Sequence, residues 1–353
     1  MRPSRFLLLL LATLACALGW FLLTPAPQPQ GGRPEEGPPA FPLLAEAPEA
    51  AAGIAVSGPE GRYRLGRSSL AGPWLLTEKG GYPAGGDAVA RLLNGLSVLR
   101  LYEPKTDRPE QLGLLGLDDG GQRILVEDAA GRPLVDAVIG GLRENLARPG
   151  DAGTYLRYAD SAQGWLARGA LIVPKTAMAL VDRQLLSLPA AVIAKVAVTP
   201  PDGAAPLVLL RPDRGGSALQ LDPPAPDGAA LDRAALRGMT EGLRRLTFDN
   251  LAPAGARPFA APWRAVYTSF DGLRIALTFE RRNGEFWSQI EAAAVPPPHR
   301  DAAAPRADTA AFATAMAART KGWVFRLEPF LFSRLAQRRD DVIDSAVIDS
   351  VSE

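Results

Sequence analysis

The chain has 353 residues, 47% hydrophobic and 22% charged, enough apolar material for a buried core of one to three units and too much for disorder throughout. A formal net charge of +1 argues against a dedicated nucleic-acid or anionic-lipid surface, which needs a concentrated excess of Lys and Arg. One cysteine and one histidine leave no disulfide framework, no His-dependent triad in an ordered site and few of the donor sets that hold zinc or haem.

The first element is the run Phe6 to Leu23, eighteen residues without a charge, preceded by Arg2 and Arg5. As a helix it spans about 27 Å, close to the roughly 30 Å hydrocarbon core of a bilayer. Its nine leucines favour insertion, and the two arginines hold the N-terminus in the cytoplasm. Residues 1–24 therefore read as a single-pass transmembrane signal-anchor of the bacterial inner membrane, with everything after Thr24 in the periplasm. A cleaved signal peptide is the rival reading, opposed by the length of the run, which continues past Ala15-Cys16-Ala17 through Trp20 and Phe21. Lipidation at Cys16 is a minor option. Residues 25–52 begin as a Pro and Gly tract that cannot bury enough apolar surface to offset its ordering entropy, and read as a spacer.

From Gly53 short period-two runs at Ile54 to Val56, Tyr63 to Leu65 and Trp74 to Thr77 predict strands separated by Gly and Pro turns. Asp87 can cap a helix whose Val89, Leu92, Leu93, Leu96 and Leu99 fall on one face. Further strands are predicted over 123–127, 134–139, 154–158 and 164–167, and a mainly helical stretch over 176–194 with a break near Pro189. Ala55-Val-Ser-Gly-Pro-Glu-Gly61 is then echoed by Ala197-Val-Thr-Pro-Pro-Asp-Gly203, and a second Asp-capped helix starts at Asp232 with Leu236, Met239, Leu243 and Leu246. A third, divergent copy is read from Arg264 to Phe279, Phe286 to Ile290, and a helix after Asp308 bearing Phe312 and Met316. The predicted fold class is α+β, an N-terminal transmembrane helix followed by repeated antiparallel sheet-plus-helix units over 53–195, 196–262 and 263–335, with a polar tail over 336–353.

Gly80-Gly-Tyr-Pro83, Leu114-Leu-Gly-Leu117, Gly140 followed by Thr154-Tyr-Leu-Arg157, the run Leu180 to Leu186 followed by Lys195-Val-Ala-Val198, and Lys321-Gly-Trp-Val-Phe325 resemble the bacterial family called domain of unknown function 4340. Leu180 departs from it, standing where a tryptophan is expected. The resemblance covers about Gly53 to Leu335 and implies an N-terminal membrane helix and a place beside gliding-motility-type ABC transport auxiliaries. It brings no catalytic residues.

The residues themselves offer little chemistry. His299 lies in a Pro and Ala loop without partners for a metal site, and there is no Gly-x-Ser-x-Gly, Walker or dinucleotide fingerprint. Asp118-Asp119 reads as a turn; Glu127, Asp128, Asp136 and Asp160 are candidate carboxylates for a glycosidase-type pair, which sequence cannot bring together. A candidate binding surface consists of Trp165, in Gln163-Gly-Trp-Leu-Ala-Arg168 and the tryptophan expected to be exposed, with Tyr155, Arg157 and Tyr158; the alternative for Arg157 is a cross-strand carboxylate partner. Trp74, Trp287 and Trp323 read as core. In the tail, Val342, Ile343, Val347 and Ile348 offer a short docking helix, against a solvated face as the plainer reading. The function expected is that of a non-enzymatic auxiliary or scaffold of an envelope ABC-type transport assembly, without cofactor or metal. A cell-wall glycan or envelope polymer binding module is the alternative, and a carboxylate-dependent hydrolase a third class.

Overall fold

The computed structural model describes residues 37–146, 151–214, 218–226, 229–297 and 307–344. The predicted anchor, the spacer up to residue 36, His299 and the tail from 345 lie outside them. Among the described residues no helix is long and apolar enough to cross a membrane.

Alternating apolar side chains build two nine-stranded antiparallel sheets. The first contains β1 (Ala51–Gly58), β2 (Gly61–Gly66), β3 (Leu75–Leu76), β4 (Tyr82–Pro83), β5 (Arg100–Thr106), β6 (Gln122–Asp128), β7 (Pro133–Glu144), β8 (Ala152–Tyr158) and β9 (Gly164–Arg168). Their spatial order is β4-β3-β2-β1-β6-β7-β8-β9-β5. The second part of the chain supplies β10 (Gln184–Leu186), β11 (Ile193–Thr199), β12 (Leu207–Leu210), β13 (Gln220–Leu221), β14 (Ala230–Leu231), β15 (Leu246–Pro253), β16 (Trp263–Ser269), β17 (Leu273–Arg282), β18 (Glu285–Ala294), β19 (Trp323–Leu327) and β20 (Ile343–Asp344). Nine of these run β10-β15-β19-β18-β17-β16-β11-β12-β13, while β14 pairs with β20. The helices are α1 (Pro42–Glu46), α2 (Gly86–Ser97), α3 (Pro109–Leu112), α4 (Arg233–Glu241), α5 (Ala307–Thr320) and α6 (Phe330–Leu335).

In β6, Ile124 and Val126 are fully buried while Arg123 and Glu127 point to the other face. Helix α2 covers that core face with Val89, Leu92, Leu93 and Leu96, each contributing about 1.5–3 kcal/mol by burial. One buried cluster runs through both sheets. They meet where Tyr82 of β4 packs edge-on against Trp323 at 5.1 Å, with Phe248 and Phe325 beside it.

The mixed α and β architecture with antiparallel sheets matches the expectation; the series of three units does not emerge. Residues 196–262 and 263–335 are not separate units, because their strands interleave in one sheet: β15 pairs with β19, and β11 with β16. The stretch 176–194 is not helical. It forms two short 3-10 turns and strand β10, because it bridges the sheets and spends its backbone groups on both, Leu180 O accepting from Gly85 N and β10 pairing with β15. The spacer ends earlier than residue 52: Phe41 and Leu44 are buried and α1 packs on α2 and β7, so apolar side chains after the proline tract order it. The start of the tail is likewise folded, with Val342 buried and its carbonyl accepting from Asp232 N; the docking helix is absent from the part described. Asp232 caps α4 as expected, but Gly85, not Asp87, is the N-cap of α2, and Phe312 of α5 is exposed.

Candidate functional site

Three of the short motifs meet at one end of the first sheet. The backbone of Gly116 and Leu115 lies directly on β7, where a Cβ on Gly140 would stand 2.2 Å from Leu115 O. Only glycine admits that approach. The β7 to β8 register shifts between Ile139 and Leu142, so the glycine pair is also a bulge. Arg157 fixes the loop from the opposite strand, its Nε donating to Leu117 O at 2.7 Å, and Leu112, Leu117 and Val138 form a small second core against Tyr155. Thr154 holds the segment after β9: its hydroxyl donates to Gly169 O at 2.7 Å and accepts from Leu171 N at 3.0 Å. Tyr63 adds a tie, its hydroxyl donating to Pro174 O at 2.6 Å, and burial pushes that phenol well above its ordinary range.

These ties leave a cleft of about 480 Å³, lined by Gln122, Ile139, Gly140, Leu142, Leu171, Ile172 and Val173 among others. The size lies in the range of small-molecule sites. Leu142 and Ile172 stand exposed at the lining, 44% and 77%. Lys175 and Glu60 also line it and neutralise one another, Nζ to Oε1 2.7 Å. Gln122 is the polar group to explain: its Oε1 is buried with no hydrogen-bond partner among the described residues.

The predicted binding residues do not make one strip. Residues directly opposite in an antiparallel pair share a face. Trp165 lies opposite Leu156, and Tyr158 opposite Ala137, on the face of the main core. Trp165 is partly buried against that core, and the Tyr158 hydroxyl donates to Ala40 O at 2.7 Å, its phenol raised by burial. Tyr155 and Arg157 are on the other face. Among the described residues Arg157 has no carboxylate partner; its guanidinium is taken up by the carbonyls of Leu117, Tyr158 and Ser161. Two of the four candidate carboxylates are spoken for as well. Asp136 receives a bidentate pair from Arg123, and Asp128 closes the turn after β6 by accepting from Ala130 N, Arg132 N and the Arg132 guanidinium. Among the described residues no group of three or more His, Cys, Asp or Glu could hold a metal ion.

Gln122, Lys175 and Glu60 carry no sequence signal. The signal for the place was Gly140-Gly141, a glycine pair inside an otherwise alternating strand. Fold and site define a two-sheet α+β protein with a largely apolar cleft at one end of its first sheet. The family model for the domain of unknown function DUF4340 matches residues 74–261, over half of the chain, and the chain belongs to that family. No curated protein and no solved structure matches it.

Proposed function

We propose that this is a single-pass protein of the bacterial inner membrane whose exported α+β domain serves an envelope ABC-type transport assembly as a non-enzymatic auxiliary or scaffold. The membrane part of the reading rests on the uncharged run Phe6 to Leu23 behind two arginines. The observation that carries the non-enzymatic part is the composition of the cleft. Its walls are mainly aliphatic side chains and glycine backbone, its charged pair is mutually neutralised, and of the carboxylates singled out as reactive candidates Asp128 and Asp136 are engaged by arginines or turn amides.

Mild crosslinking in intact cells, followed by detergent purification of the tagged full-length chain and mass spectrometry, tests the proposal. ABC-transporter membrane subunits or their exported auxiliaries should co-purify, and the protein should stay with membranes through alkaline carbonate extraction. Release by carbonate would remove the anchor. Recovery of background alone, or of wall polymer alone, would overturn the transport role.

A further inference from the structure

We infer that the two sheets are copies of one unit, and that the first copy keeps open, for a flat aromatic ring, a place that the second copy fills with its own side chains. The inference stands apart from the membrane role.

The likeness begins in topology. Eight strands of the first sheet run β3-β2-β1-β6-β7-β8-β9-β5, and eight of the second run β13-β12-β11-β16-β17-β18-β19-β15. Helix α2 precedes β5 as α4 precedes β15. Irregularities coincide too. The β1 to β6 register shifts between Ala51 and Gly53, and the β11 to β16 register between Ile193 and Lys195. At each shift an arginine from the next strand's end donates to the bulged carbonyl, Arg67 Nε to Ala51 O at 2.8 Å and Arg211 Nε to Ile193 O at 3.0 Å. Opposite each, a side-chain oxygen closes the turn: Asp128 accepts from the amides two and four residues on, and Ser269 accepts from Asp271 N and Leu273 N. A chance resemblance of two meanders would not reproduce the bulge, its arginine and the turn cap at matching positions.

The registers then align the rest. Val56, Ile124 and Ala137 lie side by side in the first copy as Val198, Ala265 and Leu277 do in the second. Stepping along each pair, Gln122 opposite Ile139 corresponds to Trp263 opposite Phe279. In the second copy α6 follows β19 and sends Phe332 against Trp263, Phe279 and Phe286, with ring centroids 6.5, 5.8 and 5.6 Å away. Arg338 lies over the Trp263 ring at 5.3 Å. The first copy has Gln122 in place of the tryptophan and an extended segment, Leu171 to Lys175, in place of α6. What remains is the cleft of about 480 Å³, which Gln122 and Ile139 line. A place that aromatic rings fill in one copy suits a flat ring in the other.

Indole, a flat ring, and cyclohexanol, a saturated one, are the probes. They are titrated into the full-length chain in detergent, with the methyl resonances of Ile139, Leu142 and Val173 as the readout. Indole should saturate those shifts and cyclohexanol should bind about fivefold more weakly. Gln122→Trp should abolish the indole titration while leaving the melting transition in place, and it also controls for probe dissolved in the micelle. Titration of N-acetyltryptophanamide separates the two sources of such a ring: binding as tight as indole indicates a side chain of a polypeptide, and exclusion indicates a free small molecule. No saturable indole shift, shifts that persist in folded Gln122→Trp, or equal binding of the two probes would overturn the inference.

Discussion

Asp128 and Ser269 show how one position can be served by different chemistry. Each is buried at the end of a long strand and each closes the following turn by accepting two backbone amides. The carboxylate adds a charge. The Arg132 amide, then the Arg132 guanidinium, hold its pKa below the ordinary carboxylate value. A carboxyl depressed on folding stabilises fully above its unfolded pKa of about 3.9 and loses that contribution as pH falls through the lower folded value. Asp128→Asn keeps an acceptor for the amides but cannot titrate. Urea unfolding should find the variant less stable than wild type at pH 6, with the gap closing toward about pH 2. A gap independent of pH would mean that the charge is idle. Gln122 marks the limit of residue-level reading, because an amide at a strand start looks like any solvated end until the partner strand and the segment after β9 are laid over it.

At the scale of elements, α2 and α4 occupy equivalent places and begin differently. Asp232 Oδ1 accepts from Ala234 N at 2.7 Å and Ala235 N at 3.1 Å, satisfying two of the amides a helix start leaves open. Asp87 sits inside the first turn of α2 and makes no cap, acting only on the helix dipole. Asp232→Ala should therefore cost about 1 kcal/mol and Asp87→Ala about 0.3 kcal/mol in chemical denaturation. Equal losses would contradict the assignment of the caps. The amphipathic faces of both helices were legible, since spacings of three and four survive any tertiary context. The stretch 176–194 was not, because its apolar residues serve two sheets in turn, and periodicity is informative only where one partner surface is being covered.

For the whole molecule, the contact between sheets decides whether the halves act together. Tyr82 stands between Trp323, Phe248 and Phe325, its phenol raised by burial, and Arg319 donates to its hydroxyl. Beside it Lys79 donates to Asn250 at 2.7 Å across the same junction, its amine lowered first by burial and then by Arg326. Tyr82→Ala should cost about 3–5 kcal/mol, as large aromatic truncations in cores do. In the wild type, unfolding followed by far-UV circular dichroism and by tryptophan fluorescence should give one coincident transition. Two separated transitions would show that the junction does not couple the sheets.

By itself the sequence determined the antiparallel α+β character, most strands of the first sheet, the core faces of α2 and α4 and the family. These are local quantities, carried by alternation, capping and turn residues over a few neighbours. It also held the echo of Ala55 to Gly61 in Ala197 to Gly203, which falls on the equivalent hairpins of β1 with β2 and β11 with β12. Only the tertiary structure decided that 196–262 and 263–335 build one sheet, that Tyr155 and Arg157 are split from Trp165 and Tyr158, and that Gln122 lines a cleft. Each of those depends on which strands lie side by side. Strand pairing is set by backbone hydrogen bonds that every residue but proline can make, so it leaves little trace in the order of side chains.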